Sequence, residues 1–375
     1  MPEETPFDPC VSPPVSSYVR RLTGADEAIC PLVHPADEMF LYNLRLQHGS
    51  REAAAILYFS KGQQIFRAVE DVIRWRFGGF AAAGSLLDFA SGFGRSTRFL
   101  ARVVGPARLT VAEIDPRAVA FQSETFGVGG ILTTPDPGSF SPPRAFDGIL
   151  AASFFSHLPA RRFEDWLRRL YAALAPGGIL LFSVHGPSLL GDPDADWSSG
   201  IVFRAESETA RLEPSEYGTS YVSEDFVRAA CARAAGAEAR VIRKPFGLGA
   251  SEDLYVLMRP PQPARPALEL AEFPRGELDS SAILDGTVEI EGWTEGTAGD
   301  PPPAVSLWFA DTVREVSRAG GDPGARRRWR FSFPTAAVAP DDVVRVESES
   351  SRGLANILAM GTLRPFLETG ASASD

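Results

Sequence analysis

The chain of 375 residues carries 37 Lys and Arg against 48 Asp and Glu, a formal net charge of −11, and 44% of its residues are hydrophobic. That length and apolar fraction allow two domains with a sizeable core and exclude global disorder. The acidic balance speaks against a general nucleic-acid binder, which needs a basic face. No apolar run reaches the roughly 20 residues of a bilayer span. The acidic start, Met1-Pro2-Glu3-Glu4-Thr5, is unlike a secretion signal. Cys10, Cys30 and Cys231 are few and unpatterned, which fits a reducing cytoplasm and suggests neither a disulfide framework nor a metal site.

Residues 1–33, rich in Pro, Ser and acids, are expected as an extended arm. Pro35, Asp37 and Glu38 then open a short amphipathic helix carrying Met39, Tyr42 and Leu46 and ending near Gly49. From Glu52, the recurrence of Ile56, Phe59, Phe66, Val69 and Ile73 predicts a longer helix closed by Gly78-Gly79. Gly62 is awkward inside it and predicts a break, with Tyr58-Phe59-Ser60-Lys61-Gly62 as a candidate lid.

From residue 85 strands and helices alternate. Strands are expected at 85–87, 108–114, 130–133, 146–152 and 179–184, with helices at 96–104, 117–126 and 161–174 between them. Repeated βα units of this kind imply a parallel sheet with helices on both faces. Residues 186–222 break the pattern; their length and aromatics, Trp197, Phe203, Tyr217 and Tyr221, predict a substrate-facing insertion. Ser223 caps a helix to about Ala235, and strands at 240–243 and 253–258 lack a crossover and are expected to pair antiparallel at the sheet edge. A Pro-rich linker follows, and five short runs between 286 and 362 suggest a small β-sandwich.

The turn after the first strand, Ala90-Ser91-Gly92-Phe93-Gly94, is the centre of the chemistry. Its glycines remove side chains where a ligand approaches the backbone, and the new helix start favours a negative group. Such a turn suits either a nicotinamide or flavin dinucleotide or S-adenosylmethionine. Thr97 stands where the dinucleotide pattern places a third small residue. Glu113 ends the second strand beside the turn, where a carboxylate can accept both hydroxyls of a ribose; the plainer reading is a solvated or capping acid.

Four segments together carry a resemblance. Leu86-Leu87-Asp88-Phe89-Ala90-Ser91-Gly92-Phe93-Gly94 resembles the first motif of class I S-adenosylmethionine-dependent methyltransferases, with Ala90 in place of a common first Gly. Val111-Ala112-Glu113-Ile114-Asp115-Pro116 is similar to their second motif, Phe146-Asp147-Gly148-Ile149 with His157-Leu158-Pro159 to the fourth-strand motif, and Leu174-Ala175-Pro176-Gly177-Gly178-Ile179-Leu180-Leu181 to the segment before strand five. The likeness covers about residues 50–259. It implies an α/β chain: a Rossmann-like seven-stranded methyltransferase sheet with an N-terminal helical cap, plus a C-terminal all-β sandwich. The expected divisions are 1–80 for the arm and cap, 81–259 for the cofactor domain, 260–280 for the linker and 281–365 for the sandwich.

The resemblance implies S-adenosylmethionine as cofactor, held by Asp88, Ala90, Ser91, Gly92, Gly94, Glu113, Ile114, Asp136 and Ser153. Asp88 organises the turn and lies near the cofactor ammonium; Asp136 meets the adenine amine; Ser153, Phe154 and Phe155 line the far side, Phe155 equally as plain core. Arg95 and Arg98 are expected as exposed helix arginines or contacts to a carboxylate. The reaction is an in-line displacement of methyl from a sulfonium, in which alignment and water exclusion dominate. His157, after strand four, is the first candidate general base and His185, after strand five, the second; the plainer role of His157 is to cap the next helix. No metal is expected. Taken with Tyr217-Gly218-Thr219-Ser220-Tyr221, the layout is similar to bacterial methyltransferases of glycan or secondary-metabolite pathways, which suggests O-methylation of a small molecule or glycan in the cytoplasm, without nucleic acid and with a homodimer left open. Two alternatives stand beside it: an NAD(P)-dependent oxidoreductase, and a non-catalytic scaffold working through the β domain.

Overall fold

The computed structural model describes residues 5–24, 28–206, 212–236, 239–296, 300–317 and 324–363. Contacts divide the chain into two compact units, one of residues 1–63 with 271–375 and one of residues 64–270. The cut falls at 63/64 and 270/271.

The N-terminal region is helical where an extended arm was expected. Pro13 and Pro14 start helix α1 (Pro13–Thr23), and Val15, Tyr18 and Val19 bury one face. Proline at a first turn has its φ pre-set for the helix, so the residues that read as an arm are a helix start. Asp37 caps α2 (Glu38–Leu46) by accepting from the Met39 and Phe40 N–H groups at 3.0 and 3.1 Å. This helix buries Phe40 and Asn43, while Tyr42 and Leu46, expected on its inner face, are exposed. The long helix α3 (Arg51–Phe77) runs unbroken through Gly62. Residues 53–56, 58–60 and 62–66 are buried, and that burial outweighs the roughly 1 kcal/mol a helical glycine costs. Tyr58 is fully buried and donates to Asp37 Oδ2 at 2.6 Å, so the segment expected as a lid is core.

Residues 64–270 build a Rossmann-like sheet. Its parallel strands are β1 (Leu86–Phe89), β2 (Leu109–Glu113), β3 (Gly129–Leu132), β4 (Phe146–Ala151) and β5 (Leu174–Val184). Helices α4 (Thr97–Val104), α5 (Pro116–Phe126) and α6 (Ala160–Ala172) fill the crossovers. β5 starts earlier than expected, because Ala175-Pro176-Gly177-Gly178 is absorbed as an irregularity between the Phe146–Leu174 and Gly148–Ile179 pairs. A two-stranded hairpin, β6 (Ile201–Arg204) with β7 (Thr219–Val222), stands in the 186–222 segment, of which residues 207–211 lie outside the described residues. Helix α7 (Glu224–Ala235) leads to β8 (Arg240–Leu248) and β9 (Glu252–Met258). The strand order is β3-β2-β1-β4-β5-β9-β8, with β9 antiparallel to both neighbours.

One sheet face packs Phe163, Trp166, Leu167 and Leu170 of α6 and Val227 of α7 against Phe89, Phe182 and Tyr255. On the other, the C-terminal half of α3 comes close: a Cβ on Gly148 would lie 3.4 Å from Ile73 Cδ1 and 2.6 Å from Leu86 Cδ2.

The C-terminal region is the expected β-sandwich. One sheet orders β10 (Arg275–Leu284), β11 (Thr287–Glu295) and β14 (Arg327–Pro334); the other orders β13 (Thr312–Ser317), β12 (Ala304–Phe309), β15 (Val344–Glu349) and β16 (Ala355–Gly361). Phe309, Phe331, Phe333 and Val346 fill the space between them. β10 begins inside the stretch expected as a linker. It and β13 are largely exposed, so neither shows the apolar alternation that marks a strand in sequence. Residues 364–365, at the end of the expected sandwich, lie outside the described residues.

Candidate functional site

The site gathers where β1, β2, β4 and β5 end. After Phe89 the chain enters the left-handed region at Ala90 (φ +54°), Gly92 (φ +55°) and Gly94 (φ +82°). Ala90 therefore takes, at some strain, the conformation that makes glycine common there. The two glycines do different work. A Cβ on Gly94 would sit 2.5 Å from the Phe126 ring and 3.0 Å from Gln122 Oε1, so its bareness lets α5 approach the turn. A Cβ on Gly92 would meet nothing within 4 Å, so the main chain there faces open space.

Buried polar groups hold the turn from below. Gln122 Nε2 donates to Ser91 Oγ at 2.9 Å and to the Gly92 carbonyl at 2.8 Å. Asp88 is 1% exposed and accepts from Thr97 Oγ1 at 2.7 Å and Ser96 Oγ at 3.3 Å. Burial pushes its pKa up to about 6, with the two hydroxyls and half-buried Arg95 pulling the other way. Arg98, expected to be exposed or to meet a carboxylate, is buried; its Nε donates to the Gly94 carbonyl at 3.1 Å and its guanidinium lies over the Phe126 ring.

Glu113 turns into this turn. Its Oε2 accepts from the Gly92 N–H at 2.8 Å, and its Oε1 accepts from the Ile114 N–H at 2.6 Å and, at 3.4 Å, from that of Asp115. Burial raises its pKa against the pull of these backbone donors. Asp88 (through Thr97 and Gln122), Ser91, Gly92, Gly94, Glu113 and Ile114 thus lie in one hydrogen-bonded network, while the Ala90 N–H donates to the Ala112 carbonyl at 2.8 Å. Asp136 is outside it: exposed, it caps its own turn by accepting from the Gly138 N–H at 3.0 Å. Its loop meets the site through the bond from the Thr133 N–H to the Glu113 carbonyl at 2.8 Å and through Phe140, whose ring lies 5.3 Å from that of Phe89.

A second cluster forms around the exits of β4 and β5. Ser153, also left-handed (φ +52°), donates its N–H to Ser183 Oγ at 2.7 Å and its hydroxyl to Glu252 Oε2 at 3.1 Å. Ser183 Oγ also donates to Glu252 Oε2. His185 Nε2 lies 3.4 Å from Glu252 Oε1. The His157 and His185 rings are 6.3 Å apart, and His157 stacks on Tyr217 at 4.8 Å. Phe155 is fully buried against Phe163 and Phe182, the plain core role weighed for it.

A family model described as a methyltransferase domain matches residues 87–180, from β1 through the turn and Glu113 into β5. No curated protein matches the chain. Among solved structures it is similar to DesVI of Streptomyces venezuelae, with 18% identity over 61% of this chain and 99% of that one at a TM-score of 0.42. It is also similar to CalS10, an amino pentose methyltransferase of Micromonospora echinaspora, with 17% identity over 52% and 92% at 0.38. An O-methyltransferase family protein of Burkholderia thailandensis gives 15% identity over 57% and 61% at 0.38.

Sequence reasoning missed Gln122 inside the stretch that the family model matches, and Ser183 and Glu252 beyond it. Gln122 had no visible signal, since a lone glutamine on a helix is ordinarily solvated. Glu252 had one that needed the strand register: one step past the Val184–Asp253 pair, His185 stands opposite Glu252.

Proposed function

We propose that the chain is an S-adenosylmethionine-dependent methyltransferase that transfers the methyl group to a hydroxyl of a small-molecule or glycan acceptor. The observation that carries this is the Glu113 carboxylate bonded to the Gly92 N–H, beside main chain whose missing Cβ leaves open space. An adenosine fits such a cradle: the ribose hydroxyls donate to the carboxylate's remaining lone pairs, and the chain stays close because Gly92 has no side chain. In this reading residues 81–259 hold the cofactor, residues 281–365 are an accessory domain, Asp136 and Ser153 reach the cofactor from the neighbouring loops, and His157 and His185 are the candidate bases. Bound S-adenosylmethionine supplies a methyl group on a sulfonium sulfur, open to in-line displacement.

The residues then have three tasks. The turn and Glu113 fix the nucleoside, the loops after β4 and β5 align the acceptor oxygen, and an imidazole takes the proton that the oxygen gives up. A positioned base contributes about 10²–10⁴-fold, and alignment roughly 7–11 kcal/mol.

The test is a calorimetric titration with S-adenosylhomocysteine and with NAD. The expected result is binding of S-adenosylhomocysteine only, weakened at least about 10-fold in Glu113→Ala, since at least one charge-assisted bond worth about 1.5–3 kcal/mol disappears. Binding of NAD instead, or unchanged affinity in the variant, refutes the reading.

A further inference from the structure

We infer that Glu252 is a positioning residue for His185: it fixes the imidazole proton on Nε2 and leaves Nδ1 as the lone pair that takes the acceptor's proton. This deepens the methyl-transfer reading above and rests on it for the source of that proton.

The geometry begins with the sheet. β9 runs antiparallel to β5, and the register sets Glu252 across from His185 at the very end of the pair. The carboxylate is not free to turn away. Its Oε2 is held by the hydroxyls of Ser183 and Ser153, and Ser183 is in turn held by the Ser153 N–H. That leaves Oε1 facing His185 Nε2 at 3.4 Å. A carboxylate only accepts, so the nitrogen facing it carries the hydrogen. Burial alone would raise the pKa of Glu252, yet the bonds and charge from His185 and the two serine hydroxyls outweigh it and hold the group below the ordinary glutamate range. The acid is therefore ionised when the imidazole needs a counter-charge.

The other ring nitrogen completes the arrangement. His185 Nδ1 is buried and has no hydrogen-bond partner among the described residues, while 23% of the side chain stays open. Its lone pair is unspent but closed to water in this state, so the acceptor oxygen reaches it when the groups over it move aside. As the acceptor oxygen bonds to the methyl carbon, its O–H bond breaks and the proton passes to Nδ1. The resulting imidazolium forms opposite the Glu252 carboxylate, which stabilises it without itself being protonated.

His157 is held differently. Its Nδ1 lies 2.8 Å from the Gly218 carbonyl, and the Gly218 N–H donates back to the His157 carbonyl at 2.9 Å. With its ring stacked on Tyr217, His157 fastens the β6–β7 hairpin to the exit of β4. Its Nδ1 carries the hydrogen, the opposite tautomer from His185.

The test is long-range ¹H–¹⁵N correlation NMR on the full chain with ¹⁵N-labelled histidine. Only His34, His48, His157 and His185 contribute, and His185→Gln assigns the signal. The expected result is a single His185 form protonated on Nε2, replaced by a mixture of tautomers in Glu252→Ala, with His157 protonated on Nδ1 in both. The wild-type spectrum decides by itself if that variant does not fold. His185 protonated on Nδ1 in the wild type, or unchanged in Glu252→Ala, overturns the role of Glu252. Failure of the wild-type chain to bind S-adenosylhomocysteine sinks the methyl-transfer reading separately, whatever the tautomer.

Discussion

The two glycines of the turn give the sharpest separation of binding from folding, through the pair Gly92→Ala and Gly94→Ala. Both residues are left-handed, at φ +55° and +82°, so either alanine carries about 1–2 kcal/mol of backbone strain. For Gly92 that is the whole structural cost, because the new methyl meets nothing within 4 Å. In a unit of about 200 residues this lowers Tm by roughly 2–8 °C. The methyl does occupy the open space in front of the turn, so affinity for S-adenosylhomocysteine falls at least about tenfold, the effect of about 1.4 kcal/mol. For Gly94 the methyl lands 2.5 Å from the Phe126 ring and 3.0 Å from Gln122 Oε1. Overpacking adds about 1–3 kcal/mol to the strain, and the stability loss is correspondingly larger. Calorimetric melting and ligand titration on both variants measure the two effects. If Gly92→Ala binds S-adenosylhomocysteine as tightly as the wild type, the open space beside Gly92 is not the cofactor seat. If Gly94→Ala is the more stable of the two, the packing argument for α5 is wrong.

Asp88, with its pKa pushed up to about 6 by burial against 3.8 unperturbed, binds its proton more tightly folded than unfolded. Stability is therefore expected to fall as pH rises from about 4 to about 6, with the penalty complete above that; Asp88→Asn removes this slope. Chemical denaturation at pH 4, 5, 6 and 7 checks it, and equal slopes in both proteins refute it. Phe182→Ala, at a fully buried ring between Phe155 and Tyr255, is expected to cost about 3–5 kcal/mol in urea unfolding while leaving Glu113 and the turn intact.

How much was legible in the sequence follows from which signals are local. Strand, turn and helix around 86–104 were readable because each step is written in adjacent residues: a buried run, two glycines, an amphipathic helix. The place of Glu113 beside the turn was anticipated because β2 ends next to β1 in any right-handed βαβ unit; its bond to the Gly92 N–H was not. Other features depend on neighbours that a linear reading does not supply. Gly62 reads as a breaker until residues 53–66 are seen to be packed almost throughout. Pro13 and Pro14 read as an arm until Val15, Tyr18 and Val19 are seen to be buried. β10 and β13 expose both faces, so they leave no periodicity to find. Glu252 is 67 positions after His185 in the chain, and only the β5–β9 register brings them together. Both histidines were visible, but their difference was not, because it lies entirely in what each ring nitrogen faces.

The three acids of the site share one construction. Asp88 at the end of β1 accepts from the hydroxyls that open α4. Glu113 at the end of β2 accepts from the turn after β1. Glu252 at the start of β9 accepts from hydroxyls at the ends of β4 and β5. Asp88 and Glu113 brace the turn after β1, and Glu252 joins β9 to β4 and β5. They differ in burial and in the donors that face them, and those differences separate their tasks. Asp88 sits deepest with two neutral hydroxyls, so it braces the turn and titrates high. Glu113 meets backbone N–H groups beside the open space, and under the proposed function its remaining lone pairs take the ribose hydroxyls. Glu252 meets an imidazole, so its charge acts on a proton. A ligand arriving at this edge finds donors and acceptors already oriented, and little reorganisation remains for the moment of reaction.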